Sequence, residues 1–95
     1  MQSTELFIGG EQRTATAGKR FERKNPISGE TATSAAAASP DDARAAADAA
    51  AAAFAEWSKT TPGQRRQLLL AAADALREAG PQIVAAMKEE IGSTD

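Results

Sequence analysis

The chain has 95 residues, with 11 basic and 13 acidic side chains, a net charge of −2 and a pI near 5.1. It holds no cysteine and no histidine, which excludes a disulfide framework, a thiolate nucleophile, an imidazole base and a Cys/His zinc site. There is no basic footprint for nucleic acid, no run of 18 apolar residues free of charge to span a membrane, and no secretory layout in Met1–Glu5, so a cytoplasmic location is expected.

The pattern changes near Ser39, with strands and turns before it and helices after it. Leu6 to Ile8 is an apolar run closed by Gly9-Gly10, a pair able to take the positive φ angles of a two-residue hairpin, and Glu11 to Arg13 is the return strand. A turn at Ala17-Gly18 leads into Lys19 to Lys24. Its alternation sets Phe21 and Arg23 on one face and Arg20, Glu22 and Lys24 on the other, with Phe21 as the anchor. Asn25-Pro26-Ile27-Ser28-Gly29-Glu30 is dense in turn formers, and Pro26 pushes Asn25 away from helical geometry. Thr31 to Ala38 then reads as a strand of small residues.

Ser39-Pro40-Asp41-Asp42 opens a helix over about 39–58: a hydroxyl N-cap, a proline where no N–H is needed, and two carboxylates at the positive end of the dipole. Ala43, Ala47, Ala50, Phe54 and Trp57 form its stripe, small at the start and bulky at the end. Thr61-Pro62-Gly63-Gln64 supplies a second capping box and a helix over 62–79 with Leu69, Ala72, Leu76 and Ala79 on one face. Gly80-Pro81 ends it and starts a third helix over 81–91, whose face is Ile83 or Val84, Met87 and Ile91 and whose stop is Gly92. Ser93, Thr94 and Asp95 are N-cap residues with no helix after them, an expected sign of truncation.

These elements are short of core. Alanine accounts for 24 residues, and only 16 larger apolar side chains remain, Met1 included. Leu, Ile, Val and Phe make up 13 of 95 residues, below the roughly 20% associated with disorder, but disorder also calls for a large net charge, which this chain lacks. Ordered patterns with too little to bury are expected of part of a larger domain. In that division residues 1–38 form a strand and turn segment and 39–95 a helical one.

Few groups are suited to chemistry. Asp41 and Asp42 are adjacent, point to different sides of a helix and are explained by capping. Glu89 and Glu90 lie near a helix C-terminus, where acids oppose the dipole; they read as a solvated face, with an ion pair to a part of the protein outside this chain as the alternative. Lys19, Arg20, Arg23 and Lys24 read as a solvated strand face. Arg65 and Arg66 stand in a first helical turn, where a cation calls for a carboxylate or carbonyl partner. Gly9-Gly10 lacks the third glycine and following helix of a dinucleotide fingerprint, and Phe54 and Trp57 read as core. The expectation is therefore no catalytic, cofactor-binding or metal-ligating residue in this chain.

In order and spacing, Leu6-Phe7-Ile8-Gly9-Gly10-Glu11, Asn25-Pro26-Ile27-Ser28-Gly29-Glu30, Ala53-Phe54-Ala55-Glu56-Trp57, Arg66 with Leu70, Ala73, Asp74 and Leu76, and Glu90-Ile91-Gly92 resemble the N-terminal region of the aldehyde dehydrogenase superfamily. Two positions depart from it. Gln12 stands where an aromatic residue is common, and Ser93 stands where many members have lysine, a departure more typical of the branch acting on aromatic aldehydes such as benzaldehyde, salicylaldehyde or vanillin. The resemblance implies an α/β fold in which these strands and helices flank a Rossmann-like cofactor domain. It implies a homo-oligomeric enzyme that oxidises an aldehyde to a carboxylic acid with NAD or NADP, using a cysteine nucleophile, an oxyanion-binding asparagine and a glutamate base. The nucleophile is not in this chain, and by the resemblance the nucleotide-binding glycines and the base belong to later segments. The chain alone is then expected to bind no cofactor and to be inactive, its partner being the remainder of the enzyme. The contrasting class is an autonomous Ala-rich helical module that binds a partner helix; it predicts cooperative melting with Trp57 buried.

Overall fold

The structure, a computed structural model, describes residues 1–92; the N-cap residues Ser93–Asp95 lie outside the described residues. It is a mixed α/β arrangement of strands β1 (Gln2–Thr4), β2 (Leu6–Ile8), β3 (Glu11–Arg13), β4 (Arg20–Lys24) and β5 (Thr31–Ala36), followed by helices α1 (Pro40–Trp57), α2 (Pro62–Glu78) and α3 (Gly80–Ile91).

The local signals fold as their chemistry dictates. β2 and β3 form the expected antiparallel hairpin, with Leu6 opposite Arg13 and Ile8 opposite Glu11. Gly9 and Gly10 stand at φ +62° and +80°, the positive pair that a tight hairpin turn needs and side-chain-bearing residues resist. In the Asn25–Glu30 turn the Asn25 side-chain oxygen accepts from the backbone N–H groups of Ile27 (2.8 Å) and Ser28 (3.3 Å), an Asx turn that lets the chain reverse between β4 and β5. Ser39 and Thr61 are both N-caps with reciprocal capping boxes, closed by Asp42 and Gln64. α2 and α3 are separated by Ala79 alone, and α3 stops at Gly92 in the left-handed conformation.

The sheet order β1-β5-β4 contains one strand that no pattern announces. Gln2–Thr4 lies parallel to β5, with Gln2 opposite Thr33 and Thr4 opposite Ala35. Its side chains carry no apolar alternation, and backbone hydrogen bonds hold it. β5 is thus the central strand, paired antiparallel with β4 on its other edge, and it ends at Ala36, two residues short of the predicted limit. Central position accounts for its small side chains: Ala32 and Ala36 are buried and leave room for close neighbours.

Among the described residues the buried apolar set is Ala15, Ala32 and Ala36. Phe21, predicted to anchor β4, is 48% exposed, and Phe54 and Trp57, predicted as core, are 66% and 42% exposed. The reason lies in the shape, a slab of 49 × 36 × 14 Å with a radius of gyration of 16.9 Å, against about 12 Å for a compact chain of this length. α1 packs on β2 and α3 packs on β4 and β5, but among the described residues no layer closes over their outer faces.

Candidate functional site

Four polar anchors hold the slab, and each uses side chains that the sequence singles out. Asp42 is the most buried residue described, 1% exposed at the start of α1. Its carboxylate accepts from the Ser39 backbone N–H (2.9 Å) and hydroxyl (3.0 Å), from the Thr16 backbone N–H (3.1 Å) and from the Thr16 hydroxyl. The Ser39 N–H, then the Thr16 hydroxyl and N–H, push its pKa far below the usual carboxylate range. Such a group is ionised near neutral pH and fully occupied, a capping acceptor that ties the Ala15–Gly18 turn to the helix, with no proton to exchange there. Its neighbour Asp41 faces water and pairs with Arg44 at 2.7 Å. Capping therefore describes Asp42, and Asp41 adds only a dipole term and a surface ion pair.

The acids at the end of α3 differ from the expected solvated face. Glu90 accepts from Arg23 Nε at 2.7 Å, so the ion pair left open by the sequence is made inside this chain, with β4. The Thr33 side chain and then Arg23 lower the Glu90 pKa. Gly92, two residues on, packs against the Asn25–Glu30 turn: a Cβ there would stand 2.7 Å from Ile27 Cδ1. Two of the quoted motifs, 65 positions apart from Asn25 to Glu90, thus meet in space. Glu89 lies against the same turn. Its Oε2 is buried without a hydrogen-bond partner among the described residues, beside a polar cavity of about 120 Å³ lined also by Met1, Asn25, Ser28 and Glu30.

The basic cluster on β4 is likewise more engaged than a solvated face. Arg20 reaches across β5 to β1: its Nε donates to Ser34 Oγ (2.9 Å), Nη1 to Glu5 Oε1 (2.6 Å), and Nη2 to Ser3 Oγ (3.0 Å), the Thr4 carbonyl (3.1 Å) and the Ser34 carbonyl (2.9 Å). One planar guanidinium therefore bridges three strands, a geometry that an ammonium cannot reproduce. Lys24 stays at the surface near Glu22, at 3.6 Å.

At the elbow between α1 and α2, Arg65 finds the partner its position calls for. It donates to Thr60 Oγ1 (2.7 Å) and to the carbonyl of Trp57 (3.1 Å), and its guanidinium lies 5.2 Å from the centre of the Trp57 ring. The cation at the N-terminus of α2 is thereby placed over the negative C-terminal end of α1. Thr16, Thr33, Ser34 and Thr60 are among the partners that sequence reasoning misses. A hydroxyl just before a Gly turn is the single available hint for Thr16, and nothing in the sequence points to Ser34.

Outside these anchors large apolar side chains stand exposed among charged ones. Phe7, Phe54, Leu69 and Leu76 are each more than 60% exposed. A groove of about 630 Å³ runs between the hairpin and α1, lined by Phe7, Ile8, Gly9, Gly10, Ala46, Ala49, Ala50 and Ala53. Gly9 approaches Ala49 closely enough that a Cβ on it would stand 3.9 Å from that methyl group, so the Ala stripe of α1 brings the hairpin near. No acid, base or nucleophile lines the groove. Its chemistry is that of a docking face for apolar protein surface. None of the described helices is long and apolar enough to cross a membrane.

Known proteins supply the context for that face. The model of the aldehyde dehydrogenase family matches residues 13–95. A vanillin dehydrogenase of Pseudomonas sp. strain HR199 is 45% identical over 84 residues, which cover 88% of this chain and 18% of that protein. A salicylaldehyde dehydrogenase of Pseudomonas putida is 36% identical over 91 residues, covering 96% of this chain and 19% of its own length. The crystal structure of a salicylaldehyde dehydrogenase from Pseudomonas putida G7, complexed with salicylaldehyde, superposes on 99% of this chain with a TM-score of 0.95 at 37% identity, and the match covers 19% of that structure's chain. The chain spans about a fifth of the length of these relatives.

Proposed function

Since the chain belongs to the aldehyde dehydrogenase family, we propose that it is the N-terminal segment of an NAD(P)-dependent enzyme that oxidises an aromatic aldehyde to the carboxylic acid, and that it has no activity by itself. The observation that carries this reading is the open apolar slab, which matches a solved dehydrogenase almost end to end while representing a fifth of it. The aromatic substrate class rests on the relatives' vanillin and salicylaldehyde and on Ser93 at the position where many members carry lysine.

The residues described here do not suit a dinucleotide. Gly9-Gly10 turns into strand β3 where a phosphate-binding loop would open a helix. NAD(P), which accepts the hydride when bound, is therefore assigned to the rest of the enzyme, together with the nucleophile and the base. This chain's contribution is structural: Arg20 locks the three strands, Asp42 and Arg65 set the directions of α1 and α2, and the uncovered faces receive the remainder of the cofactor domain. The complete enzyme is a cytoplasmic homo-oligomer whose subunit contacts lie in later segments.

The coding sequence after Asp95 tests the proposal: an open frame leading to the family's cysteine and glutamate supports it, and a stop codon opposes it. The purified 95-residue chain should form no NADH or NADPH, followed at 340 nm, with vanillin or salicylaldehyde. Turnover free of contaminating enzyme would refute the claim of inactivity.

A further inference from the structure

We draw no further inference here: the strongest candidate, the apolar groove between the β2–β3 hairpin and α1, belongs to the open face already described, and nothing in the structure shows an occupant for it beyond the remainder of the fold proposed above.

Discussion

Producing the 95 residues without any further chain removes whatever covers the slab, and the size of that loss can be worked from areas. The folded chain exposes 7,236 Å², whereas a compact monomer of 9.8 kDa exposes about 5,200 Å². The excess of about 2,000 Å² compares two folded states, so it does not depend on how the unfolded chain is described. With roughly 57% of a protein surface apolar, and about 25 cal/mol for each Å² kept from water, the uncovered surface forgoes about 30 kcal/mol. The net stability of an ordinary domain is roughly 5–15 kcal/mol. The missing term is at least twice that margin. The isolated chain should therefore melt over a broad range in far-UV circular dichroism, and its single tryptophan, Trp57, should emit as an indole in water. A sharp, concentration-independent melt with blue-shifted Trp57 emission would show that 95 residues suffice for a core, and the area argument would fail.

Three further predictions use the folded chain populated by an excluded osmolyte, with stability read from the midpoint of osmolyte-induced folding. Arg65→Ala removes the hydrogen bond to the Trp57 carbonyl and the contact with its ring, and should cost about 2 kcal/mol; a change below a few tenths of a kcal/mol would mean that the elbow does not depend on it. Gly92→Ala forces a side chain into the left-handed region at a cost of about 1–2 kcal/mol, and Gly92→Asn should cost less. Equal losses for the two would place the penalty in the Ile27 contact and not in the backbone. Asp42 and Glu90 both have pKa values lowered in the folded state, so their contribution is complete above the ordinary carboxylate range near pH 4. It fades as the pH falls below that range, toward the lowered folded-state values. Helix content followed from pH 6 to pH 2 should therefore drop, and Asp42→Asn should flatten the drop; stability that rises on acidification would contradict the assignment.

The sequence alone determined the features whose causes lie within about five residues. The Gly9-Gly10 turn, the Asn25–Gly29 reversal, the Ser39 and Thr61 caps and the stop at Gly92 each depend on a backbone angle or a hydrogen bond set by neighbours in the chain, and the break expected at Gly80-Pro81 falls one residue earlier, at Ala79. The shortage of core was legible for the same reason, because it is a count of side chains. Tertiary structure decided what involves partners far apart. β1 pairs with β5 through backbone groups that every sequence carries, Thr16 meets Asp42 across 26 positions, and Arg23 meets Glu90 across 67. A solvated cation and a cation bridging three strands look alike in a sequence, so Arg20 could be placed on β4 but not given its role. Phe21, Phe54 and Trp57 mark the same boundary: their apolar character was legible, but whether they are covered depends on surfaces brought from elsewhere, and among the described residues no layer closes over them.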